Sequence, residues 1–294
     1  MINGKRVLAC FGLAAVIAGT GACTAGRAPA PSAEPELGPI PVVRSGADIR
    51  LPLDAYVLTM EQARMYSAAV NILGRDCMKR FGLTWPASAP APSTETPLNA
   101  RRYSVIEPTE VKTFGYHNPA ALSGAAESTE KVTAEAMNVW SGGGEQTFDG
   151  RPVPPGGCSG EAARQLNKGV PDIDPGIAPK LQFESFNQIK TDSRVKRVFT
   201  EWSTCMRAKG FGYPDPYTAA NDQRWRTAKP GRTEIDTAGV DVACKAQTNT
   251  AGIMLAVETA YQKRTIEARA AEMAKIKSYL EAQTANGAQI IAAR

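Results

Sequence analysis

Apolar residues recur at helical spacing along much of the chain. Tyr66, Ala69, Val70, Leu73 and Cys77 share one helix face, and Val195, Val198, Phe199, Trp202, Cys205 and Met206 share another. A face rich in Met and aromatics is a core face rather than a ligand box. Shorter helices are expected at Pro108–Phe114, closed by Gly115, at Ser128–Trp140, with Val132, Ala136 and Val139 on one side, and at Ser159–Lys168. From Thr233 the helical pattern runs almost to the end, with a break at Thr248-Asn249-Thr250, which helix propensity disfavours. Ile253, Val257, Ala260 and Tyr261 give a full apolar face there. Beyond it the apolar stripe thins to Ile266, Ala270, Met273 and Leu280 among charges of alternating sign, with Asn286-Gly287 as the expected stop. This thinning predicts that 266–294 projects as an exposed arm. Strand-like alternation is confined to Arg102–Ile106. The expectation is a mainly α fold: a loop-rich helical body with two disulfide-stapled lobes, 51–170 and 171–265, and a long C-terminal helix.

The helix boundaries have local chemistry. Thr59 and Gln62 fit a capping box, Asp192 fits an N-cap, and Asp215-Pro216 places a cap before a proline in the first turn. Gly142-Gly143-Gly144 and the Gly/Pro run over 149–157 read as a long flexible loop. No Lys-Ser/Thr pair follows these glycines, which excludes a phosphate-binding loop. Asp172 and Asp174 mimic a calcium loop, but Ile177 and Phe183 occupy its sixth and twelfth positions, so a turn at Pro175-Gly176 is expected instead.

One segment occurs twice. Cys77-Met78-Lys79-Arg80-Phe81-Gly82-Leu83-Thr84-Trp85-Pro86 aligns with Cys205-Met206-Arg207-Ala208-Lys209-Gly210-Phe211-Gly212-Tyr213-Pro214. The shared pattern is C-M-[KR]-x-x-G-[LF]-x-[WY]-P. Each copy reads as a helix end. Gly82 and Gly210 suit a left-handed residue after the last turn, the preceding Lys and Arg suit the negative helix terminus, and the following Leu83 or Phe211 can fold back on it. Pro86 and Pro214 stop the helix from resuming.

The first 22 residues read as an export signal. Lys5 and Arg6 precede the apolar run 7–18, which is too short to span a bilayer. Thr20-Gly21-Ala22-Cys23 then resembles the bacterial lipobox, in which the cysteine thiol accepts a diacylglycerol and cleavage occurs just before it. Cysteine parity agrees. Of 6 cysteines, Cys10 leaves with the signal and lipidation of Cys23 leaves four, an even number suited to an oxidising compartment. Pro29, Pro31, Pro35, Pro39 and Pro41 make 23–50 read as a tether next to the lipid. Four cysteines allow three pairings. Cys158 follows the first motif copy and Cys244 the second, which favours Cys77 with Cys158 and Cys205 with Cys244. A metal site is disfavoured by the lack of C-x-x-C spacing, and no cofactor is expected.

Composition narrows function further. At 43% hydrophobic the chain of 294 residues has ample core material, and a net charge of +5 without basic runs gives no reason to expect nucleic acid. There is 1 histidine, His117, in a turn-like setting, so most triad and metal chemistry is excluded. A hydrolase working through two carboxylates needs no histidine, and Glu161, Asp236 and Asp241 are its candidates.

The repeated motif, together with Asp241-Val242-Ala243-Cys244-Lys245 and Val257-Glu258-Thr259-Ala260-Tyr261-Gln262, resembles secreted proteins and lipoproteins of high-GC Gram-positive bacteria. The resemblance implies an envelope location and no particular reaction. The expected function is therefore that of a membrane-anchored extracytoplasmic lipoprotein held in the bilayer through Cys23. It would bind an envelope protein or a cell-wall polymer through the C-terminal helix, without catalysis. The wall-acting hydrolase is the alternative.

Overall fold

The computed structural model describes residues 33–87, 96–122 and 131–293. The export signal, Cys23 and the first part of the tether lie outside them. Residues 35–294 form one compact unit. Its helices are α1 (Met60–Arg80), α2 (Pro108–Phe114), α3 (Pro119–Leu122), α4 (Ala134–Ser141), α5 (Gly157–Leu166), α6 (Ile177–Ile189), α7 (Ser193–Ala208), α8 (Pro216–Ala220), α9 (Arg232–Thr248), α10 (Thr250–Ala268) and α11 (Ala270–Ala292). A minimal antiparallel hairpin pairs β1 (Thr147–Phe148) with β2 (Arg151–Pro152), Thr147 facing Pro152. The fold is mainly α.

Local sequence sets the helix ends. The Thr59 hydroxyl accepts the Gln62 N–H at 3.1 Å while the Gln62 side chain accepts the Thr59 N–H at 2.9 Å, closing the capping box of α1. The Asp192 carboxylate accepts the Arg194 N–H at the start of α7, and Asp215 caps α8 ahead of Pro216. The two motif copies end their helices identically. Gly82 and Gly210 are left-handed, at φ 69° and 90°. Leu83 N–H reaches Met78 O and Gly82 N–H reaches Lys79 O, and Phe211 and Gly210 repeat both bonds to Met206 and Arg207. That double bond is the Schellman motif. Asn249 adopts the left-handed conformation between α9 and α10, at the expected break.

Cys77 is bonded to Cys158, on α5, and Cys205 to Cys244, on α9. In the chain-entropy account, closing loops of 81 and 39 residues is worth about 4 kcal/mol each. α10 lies deepest. Met254, Leu255, Val257 and Tyr261 pack with Ile49, Tyr103, Ile189 and Val195. α7 and α9 enclose a second cluster around Trp202, Met206, Val242 and Cys244, and α2 adds Val111 to it. α1, α4 and α5 enclose a third around Met78, Val139 and Cys158.

Several expectations are corrected. Of the expected arm 266–294, the described residues 266–293 do not project. α11 packs along α1, and Met273 and Ile276 are buried with Leu53, Ala178 and Leu181. Gln283 donates to Asn167 Oδ1 at 2.8 Å and Asn286 to Leu166 O at 2.8 Å. These amides satisfy polar groups at the end of α5, so a polar helix face is buried, and the helix passes Asn286-Gly287 without stopping. The tether is shorter than expected, because 35–50 lies on the body. Val43 and Ile49 are buried, and the Asn249 amide donates to Pro41 O at 3.0 Å. Pro41 O comes so close to Gly252 that an added Cβ would sit 2.0 Å from it, so only glycine fits there. The boundary near 170 does not separate two lobes in space, since α2 packs on α9 and α11 on α1. Arg102–Ile106 forms no strand, and instead buries Tyr103 and Val105 in the core. The glycine-rich loop is pinned, with Gly157 against Gly142 so closely that a Cβ would lie 2.4 Å from its nitrogen. α4 starts only at Ala134, capped by Thr133, and 128–130 lies outside the described residues.

Candidate functional site

The three carboxylates considered for hydrolysis are not brought together. Glu161 meets Arg80 at 2.6 Å on the surface, and Asp236 meets Arg232 on the outer side of α9. Asp241 is fully buried on the same helix. Asp241 and Glu234 do form a buried pair at the two ends of Tyr116. The Tyr116 hydroxyl donates to Asp241 Oδ2 at 3.2 Å and its N–H to Glu234 Oε1 at 2.8 Å. Seven helical residues separate them, about 10 Å along the axis. Both carboxylates are buried, and neither borders the groove described below.

The two helical motifs noted in the sequence hold buried polar networks. In the first, Asp241 accepts from Trp202 Nε1 at 2.9 Å and from Lys245 Nζ at 2.9 Å, and Lys245 also donates to Val105 O at 2.9 Å. Burial pushes the Asp241 carboxyl up and the Lys245 ammonium down, against the attraction of each for the other. In the second, Glu258 is ion-paired to Arg102 and accepts the Tyr103 hydroxyl at 2.9 Å and the Gln262 amide at 3.1 Å. Gln262 accepts the Leu53 N–H at 2.9 Å. Burial first, and then the Glu258 charge, push the Tyr103 phenol well above its ordinary value. Both networks consume their own donors and acceptors, which is the signature of a fold determinant.

His117 has an orienting carboxylate but no free nitrogen. Nδ1 lies 2.8 Å from Glu234 Oε1 and Nε2 lies 2.8 Å from Thr227 O. A carbonyl oxygen can only accept, so Nε2 carries a proton. The Thr227 carbonyl and then Glu234 raise the imidazole pKa, which favours the imidazolium. A general base needs an available lone pair, and this arrangement offers none.

The site with unused chemistry is a groove of about 590 Å³ beside the first motif copy. Leu83, Thr84, Trp85 and Pro86 border it from the motif, Arg75 from α1 and Lys131 from the segment before α4. Trp85 stacks on Trp140 with ring centres 4.1 Å apart and planes within 3°. Trp140 in turn lies over Gly74, where a Cβ would be 2.5 Å from the ring. Among the described residues no acidic side chain borders the groove. In the second copy the equivalent aromatic is tethered. Phe211 and Tyr213 pack on the core there, and the Tyr213 hydroxyl donates to Asp222 at 2.8 Å beside Arg224. The sequence marked Trp85 through the repeat. Arg75 and Lys131 carried no signal, because their approach to Trp85 depends on tertiary packing.

Among the described residues no cluster of His, Cys, Asp and Glu is placed to hold a metal ion, and no helix is long and apolar enough to cross a membrane. The Cys23 lipid site lies outside the described residues. No protein-family model, no curated protein and no solved structure matches the chain.

Proposed function

We propose that the chain is an exported protein, lipidated at Cys23 and held on the extracytoplasmic face of the cell membrane, that binds an envelope component rather than transforming it. The observation that carries the binding reading is a division of labour among charged groups. The buried carboxylates Asp241, Glu258 and Asp192 are each committed to donors of the fold, whereas cations beside the Trp85 groove are left open to solvent. The two disulfides support an oxidising compartment, and Thr20-Gly21-Ala22-Cys23 supports the anchor. Stable anchoring needs two or more acyl chains, which the lipobox chemistry supplies. The surface that meets the partner is not a projecting C-terminal helix, since α11 is packed on α1. The paired-carboxylate hydrolase loses its support with the separation of Glu161, Asp236 and Asp241.

The test is the intact mass of the protein extracted from membranes. A diacylglyceryl group on an N-terminal Cys23 is expected, and Cys23→Ser should release the chain or leave it unprocessed. A wholly soluble, unmodified wild-type protein would contradict the anchor.

A further inference from the structure

We propose that the Trp85 groove binds a sugar ring carrying an anionic group, a carboxylate or a phosphate, as in one unit of an acidic polysaccharide. This deepens the reading of the chain as an envelope binding protein and rests on it. The floor of the groove is a rigid plate. Gly74 lets Trp140 lie against the backbone of α1, Trp140 backs Trp85, and one face of Trp85 is thereby spent. Trp85 is half-buried and lines the groove with the surface that Trp140 leaves uncovered. A pyranose has one face of C–H groups and a rim of hydroxyls. A flat indole covers the first without needing a deep hole, and Thr84 with nearby backbone groups suits the second. Because the plate is already stacked in place, little side-chain freedom is lost on binding.

The charge of the ligand follows from the two cations. Arg75 and Lys131 are both exposed and make no hydrogen bond or ion pair among the described residues. Among the described residues that line the groove these two carry the charge, and both are positive. A guanidinium matches the two oxygens of a carboxylate or phosphate, and an ammonium adds a point charge. An acidic peptide fits less well. Extended peptides are held by a free strand edge or by parallel aromatic ridges, and the groove presents one aromatic plate and no strand. The volume is that of an ordinary small-ligand site. The second copy of the motif provides a control within the molecule, because Tyr213 is tied to Asp222 and Arg224 and offers no plate.

The experiment uses the mature chain with Cys23→Ser, so that it stays in solution. It is titrated with a galacturonate trisaccharide, glucose 6-phosphate, neutral maltotriose and polyglutamate, read by calorimetry and tryptophan fluorescence. At least one anionic sugar should bind about tenfold or more tighter than maltotriose and change the tryptophan signal. The galacturonate and phosphate arms decide which anion is preferred. Arg75→Glu with Lys131→Glu should weaken binding about tenfold or more without lowering the melting temperature. Trp85→Ala should abolish binding, and should that variant fail to fold, the two surface charge reversals decide alone. Maltotriose binding as tightly as the anionic sugars, no sugar binding below about 10 mM, or polyglutamate binding tighter than every sugar would each overturn the proposal. The mass of Cys23 is read separately. An anchored protein that ignores these sugars loses only the groove, and a sugar binder that is never acylated loses only the anchor.

Discussion

The two copies of the repeated motif finish their helices with the same hydrogen bonds, yet the molecule covers them differently. Around the second copy, α7 is backed by α9 and α10, and buried carboxylates make the junctions: Asp241 on α9 accepts from Trp202 on α7 at 2.9 Å, and Asp192 at the start of α7 accepts from Tyr261 on α10 at 3.3 Å. Around the first copy, α1 is backed by α5 through apolar contacts and by α11, where Met65 lies beside Gly287, and neutral amides such as Asn286 join α11 to α5. The ion pairs of α1, Lys79 with Asp76 and Arg80 with Glu161, lie at the surface. The same ten-residue pattern therefore codes a helix end and nothing about its surroundings. Buried carboxylates tie the second copy to its neighbours, and a groove lies beside the first.

The largest contrast should come from removing one partner of a buried pair. Asp241→Asn leaves the Lys245 ammonium buried beside a neutral amide and should cost about 3–5 kcal/mol in urea denaturation. Arg80→Ala, at the surface of the first copy, should cost under about 1 kcal/mol. Equal costs would erase the distinction between the two regions. An intermediate effect should be shared by both copies. A Cβ at Gly82 or Gly210 would meet nothing within 4 Å, so Gly82→Ala and Gly210→Ala pay only for the left-handed backbone. Each should lose about 1–2 kcal/mol, and by similar amounts. Clearly unequal losses would show that the helix ends are not equivalent.

The smallest effect concerns His117. Its folded pKa is raised by the Thr227 carbonyl and by Glu234. The pair therefore contributes fully below the unfolded value of about 6.5 and is lost as pH rises through the folded value above it. Wild type should lose up to about 1 kcal/mol relative to His117→Gln on that rise, read from melts at pH 6 and pH 8. A difference that grows with pH would have the wrong sign.

What was legible in the sequence was local. Thr59 with Gln62, Asp192, Asp215 and the two motif glycines act on backbone groups within a few residues, so their types and spacing specify the contacts. The break at Asn249 and the two cysteine pairs could be read from residue type and chain order. What was not legible depends on distant partners. Gln283 and Asn286 look like solvent-facing amides until α5 supplies Asn167 Oδ1 and the Leu166 carbonyl. Residues 35–50 look like a tether until Asn249 and Gly252 receive Pro41. Helix α6 was not anticipated, because Asp174-Pro175-Gly176 reads as a turn and the helix behind it carries Pro179 near its start. Nor could the sequence set Arg75 and Lys131 beside Trp85, which left the groove hidden while its central residue was already marked.

The central claim is that α11 belongs to the first copy as its cover, which leaves the Trp85 groove as the open side. Hydrogen exchange of the mature chain tests this most directly. The amides of α11 from about Met273 to Gly287 should exchange as slowly as those of α1, and Met65→Asp, on α1 beside Gly287 of α11, should speed both helices together while α7 and α9 keep their protection. Fast exchange across α11 with α1 still protected would show a free helix, and the contrast between the two copies would have to be drawn again.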